Sequence, residues 1–152
     1  MRTNLKLLKA SISNVIELTI GLSNAQLNKI PEGYSNNIIW NVAHLVVSQK
    51  LLVYGLSGNE LKLDADFVEK YKKGSQPNGL VSGSEVKSIL LLFGYLIDEL
   101  EQDLKTLDFT NFKNYPTSYN FEITNLEEAL IFNNLHFGLH YAFLLKLKKN
   151  VS

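Results

Sequence analysis

The sequence predicts an all-α fold, a four-helix bundle in up-down-down-up order. Two observations predict the bundle and a third its order. Four segments repeat apolar residues at steps of three and four, the period of a helix with one buried face. Three of the four carry capping residues at or near an end. The connection between the second and third helices is far longer than the roughly 2–8 residues that antiparallel neighbours need. A helix of about twenty residues spans about 30 Å, and a crossover of this length can return along it and set those two helices parallel. One domain spans residues 1–152.

The first helix carries Leu5, Leu8, Ile12, Val15, Thr19 and Leu22 on one stripe. Gly21 weakens its end, and Ser23-x-x-Gln26 can cap a further turn before Pro31. The second runs from about Asn36 to Ser57 with Ser35 as its N-cap, and Trp40, His44, Val47 and Leu51 share a stripe. Within the crossover, residues 64–71 can form a short helix. The third opens on the capping box Ser82-x-x-Glu85 and carries Val86, Leu90, Phe93, Ile97, Leu100, Leu104 and Leu107 in a heptad-like seam. The fourth opens on Thr124-x-x-Glu127, continues through Leu126, Leu130, Asn133, His140, Leu144 and Leu147, and ends in lysines that suit the negative end of the helix dipole. Between the last two helices, Phe109, Phe112, Tyr115, Tyr119 and Phe121 make an aromatic segment with a strand-like alternation over 119–123. A loop this apolar is expected to plug the end of the bundle, or else to line a pocket or a subunit contact.

Composition narrows the chemistry. Fifteen Lys and Arg balance fifteen Asp and Glu, so the basic field of a nucleic-acid binder is missing. Electrostatic docking on a membrane is disfavoured for the same reason. No segment approaches the roughly 20 apolar residues of a membrane span. No signal peptide is visible, and a cytoplasmic location is the default. With no cysteine in the chain, zinc-thiolate sites, iron–sulfur clusters and a cysteine nucleophile are excluded.

The three histidines are an ordinary number, and their placement carries the argument. His136 and His140 stand at i and i+4, on one face of the fourth helix. His44 lies about 12 Å down the second helix; His140 lies about 12 Å and His136 about 18 Å from the end of the fourth. If those helices are antiparallel, the imidazoles meet at nearly one level; if parallel, His44 misses the pair by roughly 9 Å. The order inferred from loop length makes them antiparallel. Three imidazoles suit a divalent ion such as zinc or nickel and leave at least one position for water or substrate. A water bound there acquires a lowered pKa; equally, the ion can hold a substrate thiolate. Asn133 shares the stripe as a possible pocket residue, and Trp40, Asn41 and Gln49 are weaker candidates. No catalytic residue beyond the metal site is identifiable.

The stretch Asn37-Ile-Ile-Trp-Asn-Val-Ala-His44 resembles the W-N-x-x-H region of the DinB-like family, and His136-Phe-Gly-Leu-His140 resembles its H-x-G-x-H signature. The similarity runs over essentially the whole chain. The resemblance implies a four-helix bundle, usually a homodimer, with a three-histidine divalent metal site on His44, His136 and His140. It also implies a metal-dependent enzyme, either an S-transferase using a low-molecular-weight thiol or a hydrolase, acting on a small molecule. A non-catalytic dimeric scaffold or ligand-binding module is the other reading, because no acidic general base accompanies the histidines. The chain departs from the family pattern at Phe137, Tyr141 and Ala142, changes expected to narrow the pocket.

Overall fold

The computed structural model describes residues 1–151, and they are mostly helical. Helix α1 covers Arg2–Thr19, and α2 is the short Asn24–Asn28 turn. Helix α3 covers Ile38–Lys50 and passes directly into a π-helical turn, Leu51–Gly55. Helix α4 is Ala65–Tyr71 in the crossover, α5 is Gly83–Asp103 and α6 is Leu126–Val151. Two short antiparallel strands, β1 (Tyr115–Pro116) and β2 (Glu122–Ile123), lie between α5 and α6. No helix among the described residues is long and apolar enough to cross a membrane.

Local chemistry sets the boundaries. Gly21 adopts φ +80°, a left-handed conformation that ends the run of α1. Ser23 and Gln26 form the expected capping box, each side chain satisfying the other's backbone N–H. Ser82 caps α5 by accepting from Glu85 N, but the Glu85 carboxylate turns away to Lys70 and Tyr71, so the reciprocal half of the box is missing. Two caps differ from expectation. Asn37, not Ser35, caps α3, its side chain accepting from Trp40 N at 2.9 Å. At the start of α6 Asn125 accepts from Glu128 N, and the Glu128 carboxylate accepts from Thr124 N and Oγ1; the cap lies one residue later than Thr124-x-x-Glu127. In both places an asparagine side chain replaces the expected hydroxyl as the cap and serves an N–H further along the chain, Trp40 N in α3 and Glu128 N in α6. The strand is also shorter than the 119–123 alternation suggested, because Asn120 takes φ +54° and turns the chain there.

Helix α1 packs on α5 and α6, and α3 packs on α5 and α6. Between α3 with its π turn and α5, bonded partners ascend together: Gln49 with Leu96 O, Lys50 with Glu99, Tyr54 with Asp103. Between α3 and α6 they run oppositely, Asn41 with His140 and Gln49 with Asn133. Between α1 and α6 they ascend together, Asn4 with Asn134 and Leu18 with Lys148. Nearly every residue of α3 is buried, polar Asn41, His44, Gln49 and Lys50 included, so it is buried on all faces rather than along the single stripe read from its spacing. That central position takes His44 out of water.

The aromatic segment covers one end only in part: Phe109 and Phe112 pack inward, whereas Tyr115, Tyr119 and Phe121 stay exposed. Ile123 is fully buried against Leu52 and Ala129, with Phe112 and Phe132 packed around them, and Phe109 meets Tyr54 edge-on at 5.7 Å. Nearby, Lys50 lies buried under the same end, ion-paired to Glu99 at 2.5 Å and 4.5 Å from the Tyr54 ring centroid. Lys62, held at φ 51°, brings its ammonium to Asp103 at 2.9 Å and ties the start of the crossover to α5.

Candidate metal centre

His44 comes from the middle of α3, where the apolar neighbours that bury the helix surround it. His136 and His140 come from successive turns of α6. Each offers one ring nitrogen, and these atoms lie within 4.8 Å of one another. Ring centroids are 4.5 Å apart for His136 and His140, 4.9 Å for His44 and His140, and 5.3 Å for His44 and His136. The chain's three histidines therefore meet at one level.

The hydrogen bonds assign the tautomers of two rings. His44 Nδ1 lies 2.7 Å from the carbonyl oxygen of Tyr71, which can only accept. Nδ1 therefore carries the proton, and Nε2 keeps its lone pair. The Asn41 amide is oriented by its own neighbours: Nδ2 donates to Asn37 O at 2.7 Å and to Asn36 Oδ1 at 2.9 Å. Its Oδ1 must then face His140 Nδ1, 2.8 Å away, and accept from it. Two of the three rings thus hold one N–H on an oxygen acceptor and keep the opposite nitrogen as a lone-pair donor. Metal-binding histidines have this outer arrangement. The Nδ1 of His136 is buried and has no hydrogen-bond partner among the described residues. A buried polar atom without a partner is costly, and a cation that takes its lone pair would remove the cost. The residues present fit a divalent ion.

Electrostatics point the same way. Burial holds His136 down at about 4, helped by the charges of His44 and Lys73. Burial holds His140 down at about 3, helped by His136 and His44. His44 is lowered by burial, partly opposed by its bond to Tyr71. All three imidazoles are neutral near pH 7, the state a metal ligand requires.

The neighbours divide. The Trp40 ring stacks on His44 at 4.9 Å and 8°, forming a wall of the site. Asn41 orients His140. Asn133 is fully buried and donates to Gln49 Oε1 at 3.3 Å, so its bond secures the α3–α6 contact instead of an imidazole. Phe137 does not narrow the pocket: it is fully buried and stacks on Phe93 of α5 at 5.9 Å, because i+1 from His136 points about 100° away around the helix. A groove of about 620 Å³ between α1 and α5, lined by Ile16, Leu27, Leu90 and Tyr95 among others, contains none of the histidines. Two groups escaped the sequence reading. Ser48, whose hydroxyl lies 3.2 Å from His44 Nε2, stands one turn after His44, and that i+4 spacing was a usable signal. The Tyr71 carbonyl is main chain and leaves no trace in residue type.

No curated protein matches the sequence. The family model for the DinB superfamily matches residues 7–144, which include all three histidines and both motif stretches. With that match over most of its length, the chain belongs to the DinB superfamily.

Proposed function

We propose that the protein is a divalent-metal-dependent enzyme in which His44, His136 and His140 hold the ion, zinc or nickel, and a small molecule reacts at the position they leave open. The observation that carries this reading is the convergence of three neutral imidazoles, two of them oriented by oxygen acceptors and the third with a buried, unpartnered nitrogen. Bound in that set, a divalent ion supplies a Lewis-acidic position that lowers the pKa of a water or thiol. Trp40 and the α3 core exclude bulk water from one side of the site. Asn41 and the Tyr71 carbonyl hold the imidazoles in their donor tautomers. With no cysteine in the chain, any thiol arrives as a ligand, and a low-molecular-weight thiol for S-transfer or a water for hydrolysis are the nucleophiles proposed.

The same proposal includes a single four-helix-bundle domain in up-down-down-up order, a homodimeric assembly and a cytoplasmic setting. The ascending and opposed pairings described above support the helix order. The dimer rests on family membership, and light scattering at micromolar concentration tests it: a monomer would count against it.

One observation favours a second reading, a non-catalytic binding module. The ionisable groups acting on His136 and His140 are the other histidines and Lys73, and among the described residues no carboxylate joins the histidine cluster as a general base. Metal analysis of untagged protein, before and after equilibration with zinc or nickel, tests the first reading; no stoichiometric ion would refute it. If the parent binds metal but matches His136→Ala in thiol-transferase and hydrolase assays, the binding module is the better account.

A further inference from the structure

Two helical serines of this protein turn their hydroxyls back to the carbonyl one turn earlier, Ser13 to Lys9 O and Ser88 to Ser84 O. Ser48 does not. Its hydroxyl bonds to the side chain of His44, at Nε2, 3.2 Å away. The Tyr71 carbonyl fixes the proton on the other nitrogen, so Ser48 is the donor and the Nε2 lone pair is the acceptor. That lone pair is the one an ion must take. Hydroxyl and ion would therefore compete for it, and with an ion bound the Ser48 O–H, still protonated, would be free to donate to another acceptor beside the same nitrogen.

We propose that Ser48 is a positioning residue for the molecule in the open position of the three-histidine centre, donating its hydroxyl hydrogen bond to a compact anion bound there. This rests on the metal-centre reading above. Three neutral ligands leave a divalent ion's double charge uncompensated, and Lys73 adds positive charge near His136, so an anion is the favoured occupant. A donor held on rigid helix within reach of Nε2 then selects anions that can accept a hydrogen bond.

The test uses cobalt(II) as the metal and azide as the anion, with azide binding read from the visible absorption of the bound cobalt. The parent, Ser48→Ala and Ser48→Thr are compared. Alanine is the better helix former, and circular dichroism checks that the variant folds. We expect all three to load one cobalt, Ser48→Ala to bind azide about tenfold more weakly, and Ser48→Thr, which keeps the hydroxyl, to stay within about threefold of the parent. Equal azide affinity in Ser48→Ala and parent would overturn the proposal. So would loss of cobalt from Ser48→Ala alone, which would make Ser48 a ligand. A parent that loads cobalt but ignores azide would overturn this proposal and leave the metal centre standing; a parent that loads no cobalt would overturn both.

Discussion

Asn41 on α3 accepts a hydrogen bond from His140 on α6 at 2.8 Å, while its own amide nitrogen is held by Asn36 and Asn37. The side chain links the N-terminal cap region of α3 to a candidate ligand on the facing helix. Replacing it with alanine removes the acceptor that fixes the His140 tautomer. Asn41→Ala is expected to weaken zinc binding about 10–100-fold, measured by competition with a chromophoric chelator. Unchanged affinity would show that Asn41 is structural only.

His136 makes an opposite prediction for stability and for metal. Its Nδ1 is buried without a hydrogen-bond partner among the described residues, so the metal-free fold bears a desolvation cost there. His136→Leu is expected to abolish stoichiometric metal binding and to raise the stability of the metal-free protein by about 1–2 kcal/mol, read from urea unfolding. A destabilised His136→Leu would mean that this imidazole supports the fold in the absence of an ion.

Acid should weaken the metal-free protein earlier than its carboxylates alone would. His136 and His140 sit at about 4 and about 3 in the folded state, against 6.5 when unfolded. Between those values the unfolded chain binds more protons, so stability is fully present above pH 6.5 and falls as pH drops through the window. The loss amounts to about 2 kcal/mol per histidine between pH 6.5 and 5. Urea midpoints at pH 7.5 and 5.0 read it, and a triple variant with the histidines replaced should lose the difference.

The buried Lys50 ammonium depends on Glu99. Glu99→Ala would remove the ion-pair partner and leave the buried ammonium with only the more distant Asp103 carboxylate, at a cost of about 3 kcal/mol. The double change Lys50→Met with Glu99→Leu should recover most of it. Thermal melts of the single and double variants check this, and failure of the double variant to recover would assign Lys50 a packing role beyond its charge.

Much of the site was legible because it rests on spacing. The His136/His140 pair and the level of His44 follow from helical rise, and they meet where partners on α3 and α6 run oppositely, Asn41 with His140 and Gln49 with Asn133. What was not legible depends on contacts between distant segments. The Tyr71 carbonyl reaches His44 only after the crossover folds back. Phe137 looked like a pocket residue because of its neighbours in sequence, yet its direction around α6 sends it into Phe93. The amphipathic stripe read on α3 failed because the helix is central and buried all round, which periodicity alone does not distinguish from a one-sided helix. The cap of α3 shifted because the helix begins two residues later than expected, where the Asn37 side chain accepts from Trp40 N.

The π turn that follows α3 has a geometric consequence. In Leu51–Gly55 the backbone bonds skip five residues, as from Leu56 N to Leu51 O, inserting one residue beyond α-helical spacing. One residue is about 100° of rotation. The turn therefore sets an angular offset between two sections of the same rod: upstream, His44 looks toward His140 on α6; downstream, Tyr54 looks toward Asp103 on α5. Deleting one residue there would not shorten the rod appreciably. It would twist one section against the other, so that the imidazole and the phenol could no longer both meet their partners.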